Sequence, residues 1–238
     1  MTDDLTRLAG ATIAFDLDGT LVDSAPDLIG TLNVILGEEG VAPLALDVAR
    51  TFIGHGAWRL IERGFAAQGR ALAEPQLDDM ERRVIDHYRL HSTDLTRPYP
   101  GVIAALETLK GAGAKLCVCT VKRNELSIPI LEALGLAAFF DAVVGGDAAP
   151  APKPDPRHLT TAIRMAGGDC AHAVMVGDAA TDAGAARAAG IPLILVSFGY
   201  TDIPAAALEP DILIDHFDQL VPACLTLLPA CSPPGGAL

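Results

Sequence analysis

Short, almost uninterrupted apolar runs recur along the chain, separated by segments whose apolar residues return at the three-four spacing of an amphipathic helix. Strands buried on both faces of a parallel sheet have this continuous apolar character. From residue 115 onward the runs are spaced widely enough for a crossover helix between successive strands. The runs predicted as strands are Ala11–Leu17, Lys115–Thr120, Ala142–Gly146, His172–Asp178, Pro192–Gly199 and Asp211–His216. The pattern therefore predicts an α/β fold with a doubly wound, Rossmann-like parallel sheet.

The interval between the first two predicted strands breaks this rhythm. Gly101–Lys110 suffices for the crossover helix, which leaves residues 22–98, far more chain than a loop contains. That stretch has helical apolar spacing in four segments, Asp27–Gly37, Leu46–Ile53, Ala57–Gln68 and Gln76–His91. The sequence predicts a core of residues 1–21 and 99–228, a helical domain of residues 22–98 inserted after the first strand, and a disordered Pro- and Gly-rich tail, 229–238.

The charge of the chain narrows the classes of partner. Its 238 residues include 17 Lys and Arg against 30 Asp and Glu, a formal net charge of −13. Clustered basic residues bind phosphate backbones and anionic membranes, so neither a nucleic acid nor a membrane is expected as a partner. A small anionic substrate is compatible with this charge, because a metal ion or a few cations can reverse the sign locally.

The cellular compartment is predicted from three further features. The first ten residues lack the basic-then-apolar layout of a signal peptide. No stretch reaches the ~20 apolar residues of a membrane span. The five cysteines are odd in number, scattered and without CxxC spacing, so they are expected to pack as small apolar residues. A cytoplasmic location is expected.

Polar residues suited to phosphate chemistry lie at or just after the ends of four of the predicted strands: Asp16 and Asp18, Thr120, Lys153, and Asp178 and Asp182. Taken singly, each has an ordinary explanation as a turn residue, a helix cap or a solvated charge. Together they fall at one end of one sheet, where α/β proteins bind ligands. Carboxylates suit Mg²⁺, an aspartate can attack phosphorus, and a second carboxyl can protonate the leaving oxygen. The pattern predicts a Mg²⁺-assisted phosphoryl-transfer site.

Four ordered motifs resemble those of the haloacid dehalogenase superfamily: Asp16-Leu17-Asp18-Gly19-Thr20-Leu21-Val22-Asp23-Ser24, Thr120, Lys153-Pro154 and Gly177-Asp178-x-x-x-Asp182. The resemblance implies that Asp16 is the nucleophile and Asp18 the general acid/base. It implies a Mg²⁺ site formed by Asp16, the backbone carbonyl of Asp18 and Asp178, supported by Asp182. By the same resemblance, Thr120 and Lys153 hold the phosphoryl group, and the inserted domain is a cap that closes over the substrate.

Weaker motifs are similar to those of the phosphoglycolate phosphatase branch, namely Val22–Leu28, Ile53–Ala57 and Val196–Tyr200. They imply hydrolysis of 2-phosphoglycolate, with Gly54, His55 and Gly56 contacting the substrate. His55 and Val121 depart from that branch, in which asparagine is common at both positions. A sugar-phosphate phosphatase acting, for example, on N-acetylmuramate 6-phosphate and a phosphosugar mutase therefore stay open as alternatives.

Three other readings are disfavoured. A dehalogenase has no alkoxide to protonate and so no use for Asp18. Phosphonate-cleaving relatives need a lysine in the inserted domain, and the four lysines of this chain, Lys110, Lys115, Lys122 and Lys153, all lie outside it. A phospho-accepting receiver switch has neither the insert nor the second carboxyl. The expected partner is a small phosphorylated metabolite, and the expected assembly is a monomer or homodimer.

Overall fold

A six-stranded parallel sheet forms the centre of the molecule in the computed structural model, which describes residues 5–228. The strands are β1 (Thr12–Phe15), β4 (Lys115–Cys119), β5 (Ala142–Val144), β6 (Ala173–Gly177), β7 (Leu193–Val196) and β8 (Ile212–Ile214). Their order across the sheet is β5-β4-β1-β6-β7-β8. The prediction of a doubly wound α/β fold is confirmed, and the predicted tail lies outside the described residues.

Helices cover both faces of the sheet: α5 (Val102–Gly111), α6 (Asn124–Ala133), α7 (Pro156–Met165), α8 (Ala180–Ala189) and α9 (Leu220–Leu227). Successive side chains of a strand point to opposite faces. Ile13 and Phe15 of β1 accordingly pack in one core with α5 and α9, whereas Ala14 packs in a second core with α7 and α8. Cys117 and Cys119 are buried in that second core, as apolar residues would be.

The segment between the first two strands of the large sheet is helical. Two short strands, β2 (Val22–Asp23) and β3 (Arg97–Pro98), pair antiparallel at its base. Between them lie α1 (Ala25–Glu38), α2 (Leu46–Ala49), α3 (Ala57–Ala67) and α4 (Glu74–His91). We refer to residues 24–96 as the helical insert. It has its own apolar core, which includes Leu32, Leu36, Ile61, Phe65 and Leu77.

A buried carboxylate fastens the returning chain to the start of the insert. Asp27 of α1 accepts hydrogen bonds from the backbone N–H groups of Leu95 (3.0 Å) and Thr96 (2.8 Å). The hydroxyl of Thr96 donates to the same carboxylate at 2.7 Å. Because Asp27 and Thr96 are both buried, these bonds replace the water that their polar groups lose on folding.

All six strands are shorter in the structure than their predicted runs, and two of them, β1 and β7, end at turns that matter for the site. β1 ends at Phe15 because the chain turns tightly over residues 17–22, where Gly19 takes φ +82°. β7 ends at Val196 because residues 197–200 turn back toward the end of β6, where the backbone of Tyr200 bonds Asp178. Both turns lie at the carboxyl edge of the sheet. None of the described helices combines the length and the apolar character that crossing a bilayer requires.

Candidate active site

Three carboxylates meet at the carboxyl edge of the sheet. Asp16 follows β1, Asp178 follows β6, and Asp182 lies in the first turn of α8. One oxygen of each lies within 4.8 Å of an oxygen of the other two, and all three residues are buried. The adjacency of β1 and β6 in the sheet brings Asp16 to two carboxylates that lie 162 and 166 positions later in the chain.

A single ammonium group enters this acidic cluster. Nζ of Lys153 lies 2.9 Å from Oδ1 of Asp16 and 2.5 Å from Oδ1 of Asp182, and its side chain has no exposed surface. Lys153 is therefore not a solvated loop charge. Burial opposes the charged form of Lys153, but Asp16 and Asp182 outweigh burial and raise its pKa.

The loop that carries Lys153 is fixed by a buried histidine. The backbone N–H of Lys153 donates to Nδ1 of His158 at 3.1 Å, so that ring nitrogen is the acceptor. Nε2 of His158 lies 3.0 Å from the carbonyl oxygen of Val144 and therefore carries the proton. Burial lowers the pKa of His158 and favours this neutral form. The histidine thus connects β5 with the lysine loop.

Two turns hold the side chain of Asp178, and each has a glycine at its closest approach to that side chain. Its Oδ1 accepts from the hydroxyl of Thr20 at 3.1 Å and its Oδ2 from the backbone N–H of Tyr200 at 2.7 Å. A Cβ at Gly19 would lie 2.4 Å from Oδ2 of Asp178, and one at Gly199 would lie 2.1 Å from its Cβ. Glycine is required at both positions for the turns to approach the carboxylate.

Asp182 serves both as a helix cap and as part of the cluster. Its Oδ2 accepts from the backbone N–H groups of Asp178 (3.1 Å) and Ala179 (3.0 Å), which satisfies free donors at the start of α8. Its Oδ1 faces Lys153. The ordinary role as a cap and the role in the acidic cluster therefore use different oxygens of one carboxylate.

The electrostatics of the cluster favour a cation. Burial raises the pKa of Asp16 to about 6, although Lys153 lowers it in part. Burial, together with the charges of Asp182 and Asp16, also raises the pKa of Asp178 well above its usual range. Oδ1 of Asp16 is buried without a hydrogen bond of good geometry, although Nζ of Lys153 lies 2.9 Å away. Hard carboxylate oxygens that lack sufficient positive charge fit a divalent metal ion.

A second cluster of polar side chains, separate from the three carboxylates, surrounds Asp18. Its Oδ1 accepts from the hydroxyl of Ser24 at 2.5 Å and from Nζ of Lys122 at 2.7 Å. The same ammonium donates to the hydroxyl of Tyr88, at 2.8 Å, in helix α4 of the insert. Asp18 and Lys122 are both buried. Asp18 is therefore bonded directly by Ser24 at the start of the helical insert and by Lys122 of the loop after β4, which in turn contacts Tyr88 of the insert.

Comparison with known proteins places the chain in a family. Residues 13–196 match the model of the haloacid dehalogenase-like hydrolases. This range includes the three clustered carboxylates, Asp18 and Lys153. The chain belongs to the haloacid dehalogenase-like hydrolases.

Individual relatives cover almost the whole of this hydrolase. It is 51% identical over 234 residues to a phosphoglycolate phosphatase of Caulobacter vibrioides, covering 98% of this chain and 99% of that protein. It is 46% identical over 209 residues to a phosphoglycolate phosphatase of Agrobacterium fabrum, covering 88% and 90%. The crystal structure of a predicted phosphoglycolate phosphatase from Haemophilus somnus superposes with a TM-score of 0.83 at 31% identity, covering 91% of this chain and 98% of that one.

The loop after β4 of this hydrolase carries the other predicted phosphate ligand. Thr120 is buried, and its hydroxyl oxygen accepts from the backbone N–H of Lys122 at 3.2 Å. Helix α6 begins at Asn124 with Arg123 as its N-cap, so Thr120 is not the cap of that helix. Because β4 neighbours β1 in the sheet, Thr120 follows the strand next to the one that precedes Asp16.

A cavity of about 160 Å³ lies between the helical insert and the sheet edge. Asp18, Val121 and Lys122 line it from the core, and Gly54 and Gly56 line it from the insert. His55, between these glycines, is exposed and is not among the residues that line this cavity. The structure thus brings two of the three predicted cap-loop residues to the cavity and turns the third outward.

Several residues that surround Asp18 and Asp178 are not predicted as site residues from the sequence. Thr20 and Ser24 belong to the motif Asp16–Ser24, so the sequence already places two hydroxyl groups, which can donate hydrogen bonds, close to two carboxylates. Lys122 stands two residues after Thr120, a spacing that places two side chains on one side of an extended chain. Tyr88 carries no local signal, because it lies in a helix 34 residues before Lys122.

Proposed function

We propose that this hydrolase is a Mg²⁺-dependent phosphatase that converts 2-phosphoglycolate to glycolate and phosphate. The observation that carries the proposal is the pair of carboxyls after β1. Asp16 lies in the acidic cluster against Lys153, whereas Asp18 faces the cavity beneath the insert. A nucleophile and a proton donor two residues apart are the two groups that phosphate-ester hydrolysis through a covalent intermediate requires. The names of the relatives support the substrate.

In the first half of the proposed reaction, a carboxylate oxygen of Asp16 attacks phosphorus. The new bond joins that oxygen to phosphorus, the ester P–O bond breaks, and Asp18 gives its proton to the departing glycolate oxygen. Thr120 and Lys153 hold oxygens of the transferring group, Thr120 through its hydroxyl and Lys153 through its ammonium. The product of this half is glycolate and a phosphorylated Asp16.

In the second half, Asp18 takes a proton from water while the water oxygen attacks the phosphorus of the phosphorylated Asp16. The bond between Asp16 and phosphorus breaks, and inorganic phosphate leaves. Residues 22–98 act as the cap of the proposed enzyme, and α4 and the loop around Gly54 enclose the leaving group and limit the entry of water. His55 remains a predicted substrate contact from the cap loop.

Asp16, Asp178, Asp182 and the backbone carbonyl of Asp18 would hold the metal ion. Four carboxylates, including Asp18, face two ammonium groups, so the fully ionised site has an excess of two negative charges that one divalent cation balances. When bound, Mg²⁺ supplies positive charge to the phosphoryl oxygens and lowers their repulsion of the nucleophile.

The test is phosphate release with Mg²⁺ from a panel of 2-phosphoglycolate, hexose phosphates, N-acetylmuramate 6-phosphate and nucleotides. We expect the highest kcat/KM for 2-phosphoglycolate, and no detectable release by the Asp16→Asn variant. Asp78→Asn, which changes an exposed carboxyl of α4, is the matched control and should keep full activity. A preference for a sugar phosphate would overturn the substrate, and full activity of Asp16→Asn would overturn the nucleophile.

A further inference from the structure

The ammonium of Lys122 lies between the proposed acid/base and the helical insert. Its Nζ is 2.7 Å from Oδ1 of Asp18 and 2.8 Å from the hydroxyl of Tyr88. It also lies 4.5 Å from the centre of the Tyr88 ring, within range of a cation–π contact. The Lys122 and Asp18 side chains are only 6% and 9% exposed, so solvent screens their attraction weakly. The electrostatic attraction between Lys122 and Asp18 is therefore stronger than that of an ion pair on the surface.

The contacts of Asp18 fix the orientation of its carboxyl group. Ser24 and Lys122 both donate to Oδ1. No residue that the structure describes donates a hydrogen bond to Oδ2 of Asp18. That oxygen is therefore available to a leaving group in the cavity that Asp18 lines. Proton transfer requires a heavy-atom separation near hydrogen-bond length, so the rotation of this carboxyl decides whether it can act.

Tyr88 contacts the Lys122 ammonium from the helical insert. The tyrosine is 1% exposed and belongs to α4, whereas Lys122 belongs to the loop after β4. Burial raises the pKa of Tyr88 to about 12, so the hydroxyl is neutral and accepts from the ammonium. The contact therefore crosses from the insert to the core and ends on Asp18.

We propose that Lys122 is a positioning residue for Asp18, and that Tyr88 holds Lys122 in place so that proton transfer to the leaving group depends on the insert being docked. This inference rests on the proposed function, because it assigns Lys122 a role in a reaction that uses Asp18 as acid. It adds a role for two residues that the sequence motifs do not mark.

The experiment compares two leaving groups. An alkoxide such as glycolate needs a proton to depart, whereas nitrophenolate departs without one. Asp18→Asn sets the scale: its loss of kcat should be far larger for 2-phosphoglycolate than for p-nitrophenyl phosphate. We expect Lys122→Met to show the same pattern, with kcat/KM falling about 10²-fold more for 2-phosphoglycolate than for the aryl ester. The loss should fall mainly on kcat.

Two conservative variants keep the test decisive if Lys122→Met fails to fold. Tyr88→Phe keeps the ring beneath the ammonium and removes one hydrogen bond, so we expect about a fivefold loss confined to the alkyl ester. Lys122→Arg keeps the cation and should recover part of the loss. Lys110→Met, which removes a surface ammonium paired with Asp141 at 2.7 Å, is the matched control and should lose nothing on either ester.

The outcomes separate this inference from the proposed function. Equal losses on both esters in Lys122→Met, or an unchanged ratio of the two esters in Tyr88→Phe, would overturn the positioning role. If 2-phosphoglycolate is not hydrolysed, the substrate proposal fails, and the comparison is made with the best alkyl phosphate of the panel. The ratio between alkyl and aryl ester then still decides the role of Lys122.

Discussion

The buried carboxyl of Asp16 predicts how the stability of the metal-free protein depends on pH. Its pKa is raised from 3.8 to about 6 in the folded protein, chiefly by burial. Between these values the folded state keeps a proton that the unfolded state has lost. The resulting stabilisation is complete below about pH 4 and disappears as the pH rises through 6. A shift of about two pKa units corresponds to about 3 kcal/mol, of which about 2 kcal/mol falls between pH 4 and 7.

Urea unfolding in EDTA across that pH range measures the effect as a difference between wild type and Asp16→Asn. The asparagine cannot titrate, so we expect the wild type to lose about 2 kcal/mol relative to the variant from pH 4 to 7. Excess Mg²⁺ should oppose the loss, because a bound cation favours the ionised carboxylate. Asp78→Asn should run parallel to the wild type. A difference between wild type and Asp16→Asn that stays constant with pH in EDTA would refute the reasoning.

Three further substitutions test how the site and the insert are held. Lys153→Met leaves buried carboxylates without their ammonium, so urea unfolding should show a loss of about 3–5 kcal/mol, and a loss below about 1 kcal/mol would contradict the pairing. Gly199→Ala places a methyl group 2.1 Å from Cβ of Asp178, so the rise in Tm on adding Mg²⁺ should shrink, and an unchanged rise would contradict the close approach. Asp27→Ala leaves the buried N–H and hydroxyl of Thr96 without their acceptor, so thermal unfolding should show a loss of about 2–5 kcal/mol, which an unaltered Tm would contradict.

The sheet could be predicted from the sequence because burial on both faces leaves an apolar record that needs no long-range information. Each of its six strands was anticipated, and the errors fell at strand ends. Phe15 and Val196 end their strands where the backbone turns to build the site, and such turns depend on partners in other strands. The paired strands at the base of the insert, two residues each, are too short to leave a periodicity.

The candidate site was predictable to the extent that its residues follow strands. Asp16, Asp178 and Lys153 meet because parallel strands end at one edge, a rule that applies before any contact is known. The contact between Lys122 and Tyr88 could not be foreseen, since it depends on how α4 docks on the core. The outward position of His55 could not be foreseen either, because a glycine on each side permits more than one direction of the loop.

The antiparallel pairing of Val22 with Pro98 makes the helical insert a separable part of the chain. Partners across such a ladder have Cα atoms about 5 Å apart, so the chain leaves the core and re-enters it at almost the same point. A two-residue hairpin turn could bridge that gap. The intervening residues can therefore be lengthened, shortened or exchanged for another cassette without changing the order or register of any strand in the large sheet. An exchanged insert would keep the fold of the core, but it would have to supply its own counterparts of Ser24 and Tyr88, which contact Asp18 and Lys122.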